Sequence, residues 1–346
     1  MLTMARANGP MMHSRMESQP NNTTPPRGPL MPRAWRLLRG PLLIYGAWVV
    51  AVFLLQGRML YLPALAGRGL SEADIREQAG LERLWLDHNT LDHNTLGHDT
   101  LGHDTLDHDT LGHDTLDHGA LDHGAPDGAE RTEAWLLRAD ASTNTGTART
   151  LVCFFHGNAE LIDQCLAEAA AWRERGFDVL LPEYRGYGRS GGLPSQRAIV
   201  ADSDALLRRA VAITGAESLI FHGRSLGTGI AVQVASRHRD RTRALVLESP
   251  FRSVASFAWR YGVPEFIVRD PYRTDELLPS FRCPTLILHA PLDEVVPYAH
   301  GEALASLQPL AMLVPLEGSH NSGLSSTSAY WRAIDDLLQQ AGGRAH

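Results

Sequence analysis

Two serines of this 346-residue chain lie in the pattern Gly-X-Ser-X-Gly, in which a serine hydroxyl can act as a nucleophile. Ser225, in GRSLG, follows the apolar run SLIFH and precedes the helical stretch LGTGIAVQVAS. This strand-turn-helix order is the one that a strained nucleophile turn requires, and Gly223 and Gly227 supply the small neighbours that it needs. Ser190, in GRSGG, lies in a Gly-rich loop that ends in Pro194. We therefore predict that Ser225 is the nucleophile and Ser190 a loop residue.

A serine hydroxyl at neutral pH needs a histidine base, which in turn needs a carboxylate to orient it. His320, in EGSHN, follows the last predicted strand, and Asp293, in APLDEVVP, follows the strand TLILH. The resulting chain order of serine, acid and histidine is the order that accompanies this kind of turn. We predict Asp293 as the acid and His320 as the base, with Glu248, Asp270 and Asp275 as alternative acids.

The loop HGNA, residues 156–159, follows the apolar run TLVCFF. Its position predicts that it helps to bind the negatively charged oxygen of a reaction intermediate. Backbone N–H groups of Asn158 and Leu226 are expected to converge on the oxygen of a tetrahedral intermediate. Gly157 would let this backbone approach the substrate closely, and we expect the identity of the Asn158 side chain to matter little.

Short apolar runs alternate with helical stretches after residue 125. The predicted strands are 134–138, 150–155, 177–182, 218–222, 244–248, 285–289 and 312–316, and the predicted helices are 160–175, 195–214, 226–238 and 326–340. Several of the runs are almost continuous in Val, Leu, Ile and Phe, as in strands buried on both faces of a parallel sheet. The alternation predicts an α/β fold with a doubly wound, mostly parallel sheet over residues 126–346. The active site is then expected at the carboxyl ends of the strands.

The segment 251–281, between two predicted strands, predicts a short helical cap over the site. Its aromatic residues include Phe251, Phe257, Trp259 and Tyr261. They could line a pocket for an acyl or other apolar group, and packing against the sheet explains them equally well.

The N-terminal part predicts a membrane segment. Residues 1–32 are polar and Pro-rich without hydrophobic periodicity, which predicts disorder. Three arginines then precede the uncharged stretch 40–57, which would make about 27 Å of helix, enough for a thin bilayer core. We interpret 33–62 as a basic flank with an anchor or signal segment, and 63–85 as a linker and the start of the catalytic domain.

Two further questions about this segment stay open. Cleavage of a signal peptide after the small residues 64–66 is one alternative, and an interfacial or buried helix is another. The arginine bias predicts a cytoplasmic N-terminus, so that the catalytic part would lie outside the cytoplasm or be secreted.

Residues 86–125 repeat a five-residue unit eight times and carry eight of the 16 histidines. Imidazoles beside carboxylates could bind metal ions weakly. However, one Leu in five residues fits neither the helical nor the strand period, so we favour a disordered, solvated insert.

Composition excludes some classes of function. The net charge is −7, to which residues 1–39 contribute +5 and residues 86–125 contribute −9, leaving −3 for the remainder. A nearly neutral catalytic part lacks the clustered positive charge that nucleic-acid binding needs. Cys153, Cys165 and Cys283 form no CxxC pair or metal-ligand cluster and are expected to be free thiols. Cys153 and Cys283 adjoin apolar runs and are expected to be buried.

Taken together, these segments resemble the membrane-anchored α/β-hydrolase-domain serine hydrolases, which include acylglycerol and lysophospholipid lipases and protein depalmitoylases. The matching pieces are LLQGRMLYLP, FFHGNAE, LLPEYRGYGRSGGLPS, FHGRSLGTG, LESPF, CPTLILH, DEVVP and GSHN. The resemblance implies an α/β-hydrolase fold, a triad of Ser225, Asp293 and His320, and N–H donors at Asn158 and Leu226. Ala290-Pro291, before the acid, and the five-residue repeat depart from the family pattern.

The sequence therefore predicts a carboxylic-ester hydrolase that forms an acyl-enzyme on Ser225 and acts on a small ester, thioester or lipid-like substrate. An aminopeptidase or amidase would use the same three residues. A protein of another class, inactive, membrane-tethered and metal-binding, is the remaining alternative. No metal or organic cofactor and no nucleic-acid partner is expected, and the oligomeric state is left open by the sequence.

Overall fold

The computed structural model describes residues 33–88, 130–139 and 149–342. Within these residues eight strands form a single sheet with the order β1-β2-β4-β3-β5-β6-β7-β8. The strands are β1 (Leu81–Asp87), β2 (Arg131–Leu137), β3 (Thr150–Phe155), β4 (Asp178–Pro182), β5 (Ser218–Arg224), β6 (Thr242–Glu248), β7 (Thr285–His289) and β8 (Ala311–Pro315).

The sheet is mostly parallel, as predicted. β2 pairs antiparallel with β1 and β4, and the pairs from β4 through β3 and β5 to β8 are parallel. The predicted strands of the sheet all form, with ends that shift by at most three residues. β3 and β7 are buried along their whole length because helices cover both faces of the sheet.

The helices are α1 (Arg33–Leu60), α2 (Glu72–Arg76), α3 (Leu166–Glu174), α4 (Gln196–Thr214), α5 (Leu226–Ala235), α6 (Thr274–Leu277), α7 (Ala299–Leu307) and α8 (Ser328–Gly342). The cap lies where the sequence predicted it, between β6 and β7. It consists of α6 and three 3₁₀ turns, at Ala255–Tyr261, Glu265–Ile267 and Leu278–Ser280. The whole architecture is that of a doubly wound α/β fold with a short cap.

The predicted boundary of the repeat insert needs correction. The first residues of its first unit, Leu86 and Asp87, belong to β1, which begins in the segment predicted as a linker and the start of the catalytic domain. His88 is buried, and its Nε2 lies 2.8 Å from Thr132 Oγ1. Pairing with β2 along its full length stabilises this edge strand, so the fold extends to residue 88. The rest of the insert and residues 1–32 lie outside the described residues.

The chain divides into two compact units, Met1–Trp48 and Val49–His346. The described part of the first unit is the beginning of α1, with exposed apolar side chains such as Leu43 and Ile44. One helix of the described ranges is long and apolar enough to span a membrane, over Leu38–Leu65. The second unit contains the end of this helix and the entire sheet.

Candidate active site

Ser225 occupies the sharp turn between β5 and α5. Its backbone has φ 50° and ψ −116°, a strained combination for a residue with a side chain, and its N–H donates to the Glu248 carbonyl oxygen over 2.9 Å. A Cβ at Gly227 would lie 2.6 Å from the His156 carbonyl oxygen, and one at Gly223 would lie 2.6 Å from the Thr228 Cα. Backbone therefore fills the space beside both glycines, which explains why the turn needs them.

His320 and Asp293 lie in line with the Ser225 hydroxyl. The His320 Nε2 is 3.0 Å from Ser225 Oγ, and its Nδ1 is 2.8 Å from Asp293 Oδ2. The three side chains come from the loops after β8, β7 and β5, which are separated by up to 95 residues in the chain. The structure thus brings together the three residues that the sequence analysis selected, in an arrangement by which a histidine can take a proton from a serine.

The Asp293 carboxylate is held by its own loop. Its Oδ1 accepts hydrogen bonds from the backbone N–H groups of Val295 and Val296, at 2.9 and 2.7 Å. Burial alone would raise the pKa of Asp293, but hydrogen bonds from His289, His320 and Val296 outweigh burial and hold this pKa well below its usual range. The carboxylate is therefore ionised and available to orient His320.

His289 is a second histidine at this carboxylate, which the sequence analysis missed. Its Nε2 lies 2.9 Å from the Val296 carbonyl oxygen and 3.3 Å from Asp293 Oδ2, and the side chain is fully buried. The sequence contained a signal for this contact. His289 ends the strand, Asp293 lies four residues later in the following loop, and at this spacing the two side chains can meet. His289 thus supports both Asp293 and the loop that carries it.

The alternative acids have other partners. Glu248 Oε2 accepts hydrogen bonds from the Tyr330 hydroxyl at 2.8 Å and from Arg224 Nε at 3.1 Å. Asp275 forms an ion pair with Arg252, and Asp270 Oδ1 accepts the backbone N–H of a residue at the start of α4. The carboxylate at His320 is that of Asp293.

Ser190, the other serine in the Gly-X-Ser-X-Gly pattern, bonds to the backbone of a neighbouring strand. It is buried, and its Oγ accepts a hydrogen bond from the backbone N–H of Glu133 over 3.0 Å. It lies in the loop after β4, as predicted, and stabilises that loop against β2.

Arg224 links the turn that carries Ser225 to the loop 156–159, which we call the oxyanion loop after its predicted role, and this link was not predicted from the sequence. Its guanidinium forms ion pairs with Glu160, Glu168 and Glu248 at 3.3, 2.5 and 3.1 Å. Glu160 in turn accepts the Gly157 N–H over 2.6 Å through its other oxygen. This charge network fixes the two loops on either side of the Ser225 hydroxyl.

The predicted oxyanion donors lie beside Ser225. A Cβ at Gly157 would be 3.7 Å from the Ser225 Cβ, so the loop backbone passes close to the nucleophile. Leu226 is the first residue of α5, where a backbone N–H has no carbonyl one turn earlier to accept its hydrogen bond. Asn158 and Leu226 both border the cavity that contains Ser225 and His320.

The Asn158 side chain contradicts the expectation that its identity matters little. Its Nδ2 donates to the Leu60 carbonyl oxygen over 2.6 Å, and its Oδ1 accepts from the Leu62 N–H at 3.1 Å and from the Tyr187 hydroxyl at 2.7 Å. A side-chain amide satisfied on both ends fixes the loop strongly. Asn158 therefore connects the end of α1 to the oxyanion loop.

An apolar cavity of about 700 Å³ opens above Ser225. The last part of α1, including Val52, Met59 and Leu60, forms one wall, and cap residues also border the cavity. The predicted pocket residues Phe251, Phe257 and Tyr261 border this cavity.

Trp259, by contrast, does not border the cavity, and 73% of its surface is exposed. The prediction for this residue is corrected. The segment is a 3₁₀ turn, whose three-residue period differs from the helical spacing, and it directs Trp259 outward.

The cavity and its surroundings show no metal site. Among the described side chains, no group of three or more His, Cys, Asp and Glu residues is arranged to hold a metal ion. Cys153, Cys165 and Cys283 are free thiols, as predicted, and all three are buried, which was expected for Cys153 and Cys283.

Comparison with known proteins agrees with the fold. Residues 146–269 match the family profile "Serine aminopeptidase, S33". An α/β-hydrolase domain-containing protein of Arabidopsis thaliana, WAV2, is 28% identical over 235 residues, which are 61% of this chain and 75% of WAV2. The chain is a hydrolase with the α/β-hydrolase fold.

Two further similarities refine this assignment. The lysophosphatidylserine lipase ABHD12 of Danio rerio is 33% identical over 182 residues, which are 46% of this α/β-hydrolase and 48% of the lipase. The structure of Est1E from Butyrivibrio proteoclasticus with bound ferulic acid superimposes with a TM-score of 0.51 and 19% identity, covering 61% of this chain and 96% of Est1E. The second similarity concerns the fold alone, and the first links this hydrolase to a lipase.

Proposed function

We propose that this α/β-hydrolase cleaves carboxylic esters with a long acyl group, with Ser225 as nucleophile, His320 as general base and acid, and Asp293 as the orienting carboxylate. The observation that carries the proposal is the hydrogen-bonded line from Asp293 through His320 to Ser225 at the floor of an apolar cavity. Catalysis by these groups would proceed through an acyl-enzyme.

In the first half of the reaction, Ser225 Oγ attacks the ester carbonyl carbon while His320 Nε2 takes the hydroxyl proton. The negative oxygen of the tetrahedral intermediate accepts hydrogen bonds from the N–H groups of Asn158 and Leu226. His320 then gives this proton to the ester oxygen as its bond to the carbonyl carbon breaks, so that a neutral alcohol leaves and the acyl group remains on Ser225. In the second half, His320 takes a proton from a water molecule, which attacks the carbonyl carbon of the acyl-enzyme. The carboxylic acid is released and the Ser225 hydroxyl is restored.

The cavity supports an acyl chain as the group that binds. Apolar side chains from α1 and the cap form most of its walls, and transfer of an alkyl chain from water to such a wall is favourable by about 0.8 kcal/mol per CH₂. ABHD12, which this chain resembles over part of its length, is named as a lysophosphatidylserine lipase. We therefore propose lipid-like esters as the substrate class.

An aminopeptidase is the second candidate, because the profile matched by residues 146–269 carries that description and because Asp270 borders the cavity and could pair with a substrate ammonium. The two candidates are compared with p-nitrophenyl butyrate, p-nitrophenyl dodecanoate and an aminoacyl p-nitroanilide. We expect kcat/KM to be highest for the dodecanoate. Preference for the anilide would overturn the ester proposal, and absence of turnover of any substrate would favour the inactive binding protein.

The part of α1 that borders the cavity supports retention of this helix in the mature protein. Ala66, next to the predicted cleavage site, is buried, and its carbonyl oxygen accepts a hydrogen bond from Gln164 over 3.0 Å. Cleavage there would remove one wall of the cavity. We propose that α1 anchors the enzyme in a membrane and that the arginines before it hold the N-terminus in the cytoplasm, so that a cytoplasm-dependent reporter fused to the C-terminus would be inactive.

The Asn158 side chain gives a specific prediction for catalysis. Asn158→Ala is expected to lower kcat for p-nitrophenyl esters by about tenfold to 100-fold with little change in KM, because the oxyanion loop loses its connection to α1 and a small displacement of a catalytic group has large effects. Steady-state kinetics of the full-length protein measures this change.

The matched control is Gln164→Ala, which removes a hydrogen bond from a side-chain amide to Ala66, in the segment after α1, and one from the Leu161 N–H, while the contacts of Asn158 stay in place. This variant is expected to keep kcat within about threefold of the wild type. Equal losses in the two variants would mean that Asn158 acts only through general stability.

A further inference from the structure

The cap carries large aromatic side chains that are exposed. Trp259 and Phe266 are 73% and 86% exposed, and Tyr261, which also borders the cavity, is 46% exposed. We call these three residues the aromatic patch of the cap. Exposed aromatic side chains clustered within eight residues of sequence are unusual for a surface that faces only water, and such clusters mark interaction sites.

The segment that carries the aromatic patch packs directly on the end of α1. Val52 of α1 belongs to one apolar cluster with Ala258 and Val263 of the cap, and Val49 packs against the same cluster. Cap and helix end are therefore one surface within the unit Val49–His346.

Hydrogen bonds from Gln56 fix the position along the α1 axis at which the cap packs on the helix. Gln56 donates to the Ile267 carbonyl oxygen over 3.2 Å and accepts the Arg269 N–H over 2.7 Å. These bonds satisfy both ends of a polar amide inside an otherwise apolar run. The cap segment 267–269 lies at the level of Gln56.

This level coincides with the edge of the apolar run. The uncharged stretch 40–57 covers about 27 Å as a helix, close to the roughly 30 Å of a bilayer core, and Gln56 lies at its end. Val52 and Val49 lie about 6 and 10 Å further toward the middle of the run. Cap residues that pack on Val49 and Val52 therefore reach below the edge of the hydrocarbon layer when the helix spans a bilayer.

The side chains around this contact have the composition of an interfacial segment. Phe53, Leu54 and Leu55 of α1, in the same turn of the helix as Val52 and Gln56, are exposed apolar residues. Arg269 lies 5.2 Å from the Phe53 ring, and Arg260 of the cap is also exposed. Aromatic and arginine side chains are enriched where hydrocarbon meets phospholipid headgroups, because the apolar parts can be buried while the guanidinium reaches phosphate.

We propose that the cap itself docks on the phospholipid bilayer, with the aromatic patch inserted at the boundary between headgroups and acyl chains. This proposal rests on the membrane anchoring by α1 and the ester hydrolysis proposed above. The cavity between α1 and the cap is then open to acyl chains of lipids in the bilayer, and a substrate need not pass through water. The aromatic patch recognises the bilayer, while Ser225 acts at the far end of the cavity.

The test measures the depth of the aromatic patch in a bilayer. Full-length protein carrying Trp259→Cys or Phe266→Cys is labelled with an NBD thiol reagent and reconstituted in phosphatidylcholine vesicles with nitroxide-bearing lipids. The label should react with the introduced, exposed cysteine, because the thiolate is the reactive form of a cysteine. Burial raises the pKa of the Cys153 and Cys165 thiols well above the ordinary value and raises the pKa of the Cys283 thiol to about 12, so the native thiols react slowly.

Matched controls are placed far from the bilayer and within it. Ile213→Cys and Leu307→Cys place labels at positions 37% and 39% exposed, on helix ends that lead to the amino edge of the sheet, opposite the site. Leu54→Cys places a label at an exposed position of α1. We expect quenching at 259 and 266 to be at least twofold greater than at 213 and 307, and strong quenching at 54.

Each outcome decides the proposal. Quenching at 54 without excess quenching at 259 and 266 would overturn docking of the cap and leave anchoring by α1 intact. Absence of quenching at 54 would overturn the anchoring and the docking together. Hydrolysis of p-nitrophenyl butyrate by the same variants reports on the proposed chemistry independently of either result.

Discussion

Ser225→Ala is expected to lower kcat for p-nitrophenyl esters by about 10⁴-fold to 10⁶-fold, because the hydroxyl that forms the acyl-enzyme is removed. Binding should change little, since the methyl group of alanine fits wherever the serine fits. The loss is measured as kcat of purified full-length protein, and the melting temperature shows whether the variant folds.

The matched control is Ser190→Ala, which changes the other serine of the same five-residue pattern. Its Oγ accepts one hydrogen bond from the Glu133 N–H, so its loss is expected to cost about 1 kcal/mol of stability and to leave kcat near the wild-type value. A large loss of kcat in Ser190→Ala together with a small loss in Ser225→Ala would reverse the assignment of the nucleophile.

Asp293→Asn is expected to lower kcat by about 10⁴-fold, the scale seen when the acid of a serine triad becomes an amide. Asparagine keeps the shape of the side chain but offers His320 Nδ1 no negative charge, and its amide can hold the imidazole in the wrong tautomer. The line from His320 to Ser225 depends on the bond of 2.8 Å between Nδ1 and Asp293 Oδ2.

The control for this prediction is Asp275→Asn, the same substitution at an alternative acid. Asp275 forms an ion pair with Arg252 and does not border the cavity, so kcat should stay within about twofold of the wild type. Comparable losses of kcat in the two variants would contradict the assignment of Asp293 as the carboxylate that orients His320. Steady-state kinetics on p-nitrophenyl butyrate measures both.

Local patterns predicted the parts of the fold that depend on local interactions. The buried apolar runs of β3 and β7 and the glycines around Ser225 follow from requirements that a few neighbouring residues impose. The order of serine, acid and histidine along the chain then selected Asp293 and His320, since each follows a strand end on the same edge of the sheet.

Interactions between distant segments were not predictable in this way. Asn158 contacts Leu60 across 98 residues, and no local pattern relates a polar loop residue to the end of an apolar helix. β1 was missed because its last residues, Leu86 and Asp87, also begin the five-residue repeat, which hides the end of the strand. Trp259 was misplaced because a cap of 3₁₀ turns has no long amphipathic period from which its direction could be inferred.

The most direct test of the central claim is to map the adduct that a fluorophosphonate forms with the full-length protein. Intact mass spectrometry and peptide mapping are expected to find one adduct, on Ser225, with no adduct in Ser225→Ala and normal labelling in Ser190→Ala. A fluorophosphonate reacts with a serine whose hydroxyl is activated by a base, so the adduct identifies the nucleophile itself. Labelling at another serine, or equal labelling of wild type and Ser225→Ala, would contradict the proposed mechanism.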